Sequence, residues 1–202
     1  MKPFVKKVLA YLVRQLNPEP KNPSIILIGD SLIRMGNWKE LLNRSDFINR
    51  GIGGETLSQI HARLKQLADT TARIAFIEGG INDLPPSDAD TLLAEYQEMA
   101  TVFQSKQLIL VITSLVCISP QAAKKYPWRS DWRAINTQVT SLNEKLKAFC
   151  GEKNIDFIDL NSLLSDSVQL QAEYTTDGVH LTESAYRIWA AEAIRILQKY
   201  QI

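Results

Sequence analysis

Histidine occurs only twice in these 202 residues, at His61 and His180, and cysteine only twice, at Cys117 and Cys150. There is no Cys-x-x-Cys pair and no cluster of histidines, so the usual spacing of a zinc site is missing and no metal is expected. Two thiols so far apart read as small buried or half-buried hydrophobes. Charge of one sign is also lacking: 23 Lys and Arg against 22 Asp and Glu leave a net +1. Without a basic stripe, no nucleic-acid partner is expected. No run approaches the roughly 18 to 20 uncharged apolar residues that a bilayer requires, so no transmembrane span is expected. The apolar stretch Val8 to Val13 after Lys2, Lys6 and Lys7 is shorter than a secretory core segment, and a cytoplasmic location is expected. Any chemistry that needs an imidazole has two candidates.

What is present is α/β patterning. Phe4, Val5, Val8, Leu9, Leu12, Val13 and Leu16 recur at helical spacing until Asn17-Pro18-Glu19-Pro20 ends the pattern. Residues 1–20 therefore read as an amphipathic helix and linker packed on the domain that follows. The rival reading is a helix that docks on a membrane surface or a partner. Short apolar runs at Ser24 to Ile28, Phe47 to Asn49, Ile74 to Ile77, Leu108 to Thr113 and Ile155 to Asp159 read as strands. Helical patterns follow at Trp38 to Leu42, Leu57 to Leu67, Asp90 to Phe103, Trp132 to Phe149 and Thr182 to about Lys199. Continuous apolar strands each followed by a helix predict a five-stranded parallel sheet covered on both faces, although the strand order stays unread. Ligands of such sheets bind at the carboxyl ends of the strands.

The chemistry gathers at those ends. The first strand runs into Gly29-Asp30-Ser31, the second into Gly51-Ile52-Gly53-Gly54-Glu55-Thr56, and the third into Gly79-Gly80-Ile81-Asn82-Asp83. Asp177-Gly178-Val179-His180 precedes the last helix. A serine hydroxyl becomes a nucleophile when a base takes its proton and a third group fixes that base's tautomer, and Ser31, His180 and Asp177 supply these functions. Donors for a developing oxyanion are available in the Ser31 N–H, a backbone N–H of the Gly53-Gly54 turn and the Asn82 amide. Each piece has a plainer reading: Ser31 as a helix cap, Asp-Gly as a turn, the glycines as a phosphate cradle. The dinucleotide fingerprint lacks its third glycine here, and there is no Walker pattern.

In combination these residues resemble a known family. Gly29-Asp30-Ser31-Leu32 looks like the GDSL signature, and the four blocks are similar to those that name the SGNH hydrolases, a family of esterases, lipases and acylhydrolases. The resemblance implies a flavodoxin-like three-layer αβα sandwich and a catalytic domain over residues 21–202. It implies Ser31 as nucleophile, Gly54 and Asn82 as oxyanion donors, His180 as base and Asp177 as its orienting acid, with no cofactor. Glu55 stands where an aspartate is common in the family. The Gly-x-Gly-Gly-Glu turn is most similar to the branch of platelet-activating-factor acetylhydrolase subunits. The expected substrate is a small-molecule or lipid-like carboxylic ester or thioester with a small to medium acyl group. The rival functions are a phosphate- or flavin-binding module of flavodoxin-like form and a catalytically silent scaffold.

Three further positions are expected to shape the substrate pocket. The long connection Ser114 to Arg133 carries Trp128, Arg129 and Trp132, so the tryptophans are candidates for an acyl or aromatic subsite and Arg129 for an anionic group. The alternative is a hydrophobic loop anchor with a solvated cation. Trp38 is equally open. His61 falls off the apolar face of its helix and is expected on the solvent side or half-buried. Asp30 and Asp83 are expected to accept backbone N–H groups in their turns, because a carboxylate beside an oxyanion would repel it.

Overall fold

A computed structural model describes residues 20–64, 70–166 and 168–202. The expected N-terminal helix at residues 4–16 lies outside the described residues, as does the end of the expected helix at 65–67. Five strands, β1 (Ile25–Gly29), β2 (Phe47–Gly51), β3 (Ile74–Glu78), β4 (Ile109–Thr113) and β5 (Asp156–Ile158), form one sheet in the order β2-β1-β3-β4-β5. Every pairing is parallel, with Gly29 beside Gly51 on one side and Glu78 on the other. All five residues of β1 and of β3 are buried, as their unbroken apolar sequences require of strands covered on both faces.

The helices are α1 (Ser31–Met35), α2 (Trp38–Leu41), α3 (Leu57–Ala62), α4 (Ala89–Ser105), α5 (Ala122–Lys125), α6 (Trp132–Lys153), α7 (Leu160–Leu164) and α8 (Glu183–Lys199). Alternation along each strand sends side chains to two separate cores. Ile26, Ile28, Ala75, Ile77 and Ile112 meet α3, α4 and α6 through Leu57, Tyr96, Phe103 and Leu142. Ile25, Leu27, Phe76 and Val111 meet α1, α2, α7 and α8 through Leu32, Trp38, Leu160 and Trp189. This is the expected three-layer sandwich. Because β1 pairs with β2 on one edge and β3 on the other, the chain reverses direction across the sheet at β1, and a crevice opens beside its carboxyl end.

Trp38 belongs to the second core. It is 2% exposed, donates from Nε1 to the Ile33 carbonyl at 2.7 Å, and packs edge-on against Tyr186 and Trp189. The long connection after β4 is not a plain loop: it contains α5 and a 3₁₀ turn at Pro127–Arg129. Its first part, residues 114–119, is buried without regular pairing, so side chains must satisfy its backbone. Asn143 on α6 accepts from the Leu115 N–H and donates to the Leu115 carbonyl. Asn136 does the same for Ile118, and Asn161 accepts from Cys117. Three asparagines thus replace a strand ladder and hold this segment rigidly against the sheet.

Candidate active site

The site assembles where β1, β2 and β3 end. Asp30 caps α1, taking the Leu32 N–H on Oδ1 at 2.9 Å, and this puts Ser31 at the first helical position. Ser31 Oγ lies 3.1 Å from His180 Nε2 although the two residues are 149 positions apart. His180 Nδ1 lies 2.9 Å from Asp177 Oδ2. A carboxylate only accepts, so Nδ1 carries the proton of the neutral ring and Nε2 presents its lone pair to the serine hydroxyl.

The turn that holds Asp177 and His180 is built from the carboxylate itself. Asp177 Oδ1 accepts the backbone N–H groups of Val179 and His180, at 3.2 and 2.9 Å. Gly178 between them has φ +90°, and a Cβ there would sit 2.2 Å from the Ala122 nitrogen, so the turn packs directly on α5. Oδ2 also accepts from Lys125 Nζ at 2.7 Å and the Tyr126 hydroxyl at 2.9 Å. Burial pushes the Asp177 carboxyl up, but the donors from His180, Lys125 and Tyr126 outweigh it and hold the group well below the usual carboxylate range. Asp177 is therefore ionised wherever the protein is folded near neutral pH, which is the state that orients an imidazole.

The second and third blocks lie opposite. Gly54 has φ +78°, the left-handed conformation that a tight turn beside a ligand requires. The Glu55 carboxylate pairs with Arg63 Nε at 2.8 Å, and the Arg63 guanidinium also reaches the Gly29 carbonyl, so the loop after β2 is tied to the end of β1. Asn82 Nδ2 donates to Asp30 Oδ2 and to the Glu55 carbonyl, each at 3.0 Å. Asp83 Oδ2 accepts the Leu57 N–H at the start of α3. Ser31, Asn82, Asp177 and His180 therefore share one rim with the loop after β2 that carries Gly54.

The three expected pocket residues part company. Trp128 is 66% exposed, with its ring edge-on to Tyr126, which in turn faces the His180 ring. Trp132 packs against the first core with the Arg133 guanidinium over its ring. Arg129 is the clearest correction. It is 5% exposed rather than a solvated cation or a hand for an anionic substrate, and donates to the Ile81 carbonyl and to Asn82 Oδ1 at 3.1 and 3.3 Å. Its loop comes back over the site, so the side chain turns inward. His61 is half-buried on α3 and contacts Glu95 at 2.9 Å, outside the site.

Sequence reasoning missed several groups. Lys125 and Tyr126 support Asp177 from a segment that looked like a substrate loop; nothing in their spacing marks them. Glu78, the last residue of β3, is fully buried with both carboxyl oxygens unpartnered. Burial, reinforced by Asp30, raises its pKa well above the ordinary value. Asp30 is likewise fully buried and is pushed up to about 6, chiefly by burial, with its hydrogen bond to Leu32 and the nearby His180 and Arg129 working against that rise. A carboxylate ending an apolar strand run was the available signal for Glu78.

The fold is a parallel doubly wound α/β sheet, and at its carboxyl edge a hydroxyl, an imidazole and a carboxylate stand in hydrogen-bonded sequence, an arrangement able to take the proton from the hydroxyl. The sequence narrows this further: residues 27–188 match the model of the GDSL-like lipase/acylhydrolase family, and the chain belongs to that family. A GDSL esterase/lipase of Arabidopsis thaliana is 22% identical over an alignment covering 89% of this chain and 80% of its own. An N-acylneuraminate cytidylyltransferase of Streptococcus agalactiae is 22% identical over 77% of this chain, which spans only 36% of that protein's length. Among solved structures, a GDSL-like lipase from Bacteroides thetaiotaomicron superimposes with a TM-score of 0.80 at 21% identity, covering 96% of this chain and 98% of the other. A structure from Streptococcus pneumonia named for platelet activating factor gives 0.75 at 22% identity, over 98% and 92%. Among the described residues no helix is long and apolar enough to cross a membrane.

Proposed function

We propose that this protein is a serine hydrolase that cleaves carboxylic esters or thioesters of small to medium acyl groups through an acyl-enzyme. The observation that carries the proposal is the unbroken chain from Ser31 Oγ to His180 Nε2 and from His180 Nδ1 to Asp177 Oδ2. Ser31 Oγ attacks the ester carbonyl while its proton passes to His180 Nε2. The imidazolium returns that proton to the departing alcohol or thiol as the acyl–oxygen or acyl–sulfur bond breaks. Water, deprotonated by the same nitrogen, then releases the carboxylic acid and restores Ser31.

The oxyanion is received by the N–H groups of Ser31 and Gly54 and by Asn82 Nδ2. Both hydrogens of that amide already have acceptors, Asp30 and the Glu55 carbonyl, so the oxyanion competes with the neutral carbonyl for one of them. Such a donor contributes roughly 3 to 4 kcal/mol to the transition state. Trp128 and Tyr126 beside His180 offer an aromatic wall for the acyl or leaving group. No metal or cofactor takes part in these steps. A cytoplasmic site of action is in keeping with Cys117 and Cys150 both being free thiols.

A fluorophosphonate probe tests the reading. It labels Ser31, and Ser31→Ala and His180→Ala abolish labelling; an inert wild-type protein overturns the proposal and favours a binding module or a silent scaffold. A chain-length series of p-nitrophenyl esters then shows turnover of short acyl groups that declines toward long-chain ones. A preference for long-chain esters contradicts the assigned acyl size.

A further inference from the structure

We infer that Arg129 is a positioning residue that fixes and polarises the Asn82 amide for its work as an oxyanion donor. The inference rests on the proposed role of Asn82 and adds a residue that the family's four blocks do not contain.

A guanidinium that is 5% exposed has lost most of its hydration, so its partners define what it is for. Arg129 makes no ion pair among the described residues. Its two terminal nitrogens instead go to consecutive residues of one loop, Nη1 to the Ile81 carbonyl and Nη2 to Asn82 Oδ1. A guanidinium only donates, so it compels Oδ1 of the amide to face it and turns Nδ2 to the opposite side. There Asp30 Oδ2 and the Glu55 carbonyl, which only accept, impose the same orientation. The amide thus lies between a buried cation at its oxygen and a buried carboxylate at its nitrogen. A positive charge on the carbonyl side draws density from the amide nitrogen and makes its N–H groups stronger donors. When an oxyanion forms, the same cation adds a favourable field in a water-poor site.

The Arg129 backbone is itself well placed to hold this position. It closes the 3₁₀ turn that follows Lys125 and Tyr126, the two residues bonded to Asp177. One short segment therefore grips the acid of the triad at one end and the oxyanion amide at the other.

A double-mutant cycle with Asn82→Ala, followed on p-nitrophenyl acetate or by the rate of Ser31 phosphonylation, separates this role from simple loop anchoring. Arg129→Met lowers kcat by about 10- to 100-fold with KM within about twofold, a share of the roughly 100- to 1,000-fold expected for losing a whole donor. In the Asn82→Ala background the same change alters kcat by less than about twofold, because the group it acts through is gone. Arg129→Lys keeps a cation and one donor and gives the same pattern at smaller size, so it carries the cycle if the methionine variant does not fold. The inference is overturned by kcat within about twofold of wild type, by an equal loss in both backgrounds, by an effect confined to KM, or by failure of both variants to fold, which would make Arg129 structural. An unlabelled Ser31 in the wild-type protein would instead sink the hydrolase reading, whereas a labelled Ser31 with an additive cycle sinks only the role of Arg129.

Discussion

Asp30→Asn should change the pH dependence of stability in a way that exposes the cost of building this site. Asp30 is fully buried, and its pKa rises from 3.8 to about 6 chiefly through burial. That shift is worth on the order of 3 kcal/mol in favour of the protonated form. Because the folded state binds this proton more tightly than the unfolded state, the associated stability is fully present below about pH 4 and is lost as pH rises through about 6. Asparagine has the same shape and no such titration, so the variant escapes the loss. Its amide, however, accepts on one atom only, and it must serve either the Leu32 N–H or Asn82 Nδ2 while turning a donor toward the other. That mismatch costs about 1 to 2 kcal/mol at every pH.

The variant should therefore be less stable than wild type by about 1 to 2 kcal/mol near pH 4 and more stable by a similar amount near pH 7.5. Urea denaturation followed by tryptophan fluorescence measures the difference, and a Glu78→Gln background keeps the neighbouring carboxyl from titrating alongside. Activity at neutral pH should fall about tenfold, since the Asn82 amide loses the acceptor that helps orient it. A stability difference that stays constant from pH 4 to 7.5 would refute the reasoning about burial of Asp30.

Asn143→Leu keeps the branching and heavy-atom count of the side chain but strands the Leu115 N–H and carbonyl; about 2 to 5 kcal/mol of stability should go, a calorimetric midpoint lower by roughly 5 to 15 °C, and a drop under about 3 °C would contradict the role given to the asparagine ladder. Tyr126→Phe removes one of the donors to Asp177 and lets that carboxyl's pKa rise, yet His180 and Lys125 still hold it low. Its kcat near neutral pH should therefore fall only about two- to fivefold with KM unchanged, and a loss of a thousandfold would give Tyr126 a direct part in the chemistry. Cys117 and Cys150 are buried, and burial raises both thiols, Cys150 to about 12; a thiol reagent should modify them only after denaturation, and prompt reaction of the native protein would contradict this packing.

Much of the fold is legible because the signals are local. β1 and β3 stand out as unbroken apolar runs, since a strand covered on both faces has no polar side to show. α8 begins after Thr182, where the helical spacing starts, although the Thr182 hydroxyl donates to the Glu173 carbonyl and does not cap the helix. Boundaries slip where tertiary contacts act: β2 continues through Gly51, and α6 runs on to Lys153 before Asn154 ends it in the left-handed conformation. Asp177 and His180 are readable as a pair because three residues of separation suffice for one turn. The segment at 114–129 was not readable, because its asparagine partners lie 18 to 44 residues away and polar side chains on a helix carry no mark of which backbone they satisfy.

The amino-acid sequence by itself determined the layered α/β class, the residues able to do the chemistry, and that only one of two histidines had a carboxylate within a turn of it. These follow from periodicity and short spacing, which act along the chain. The order of the strands, the meeting of Ser31 with His180 across 149 residues, the inward turn of Arg129 onto Asn82 and the burial of Asp30 and Glu78 were decided by the tertiary structure. A side chain's charge, exposure and partners depend on which distant segment is folded against it.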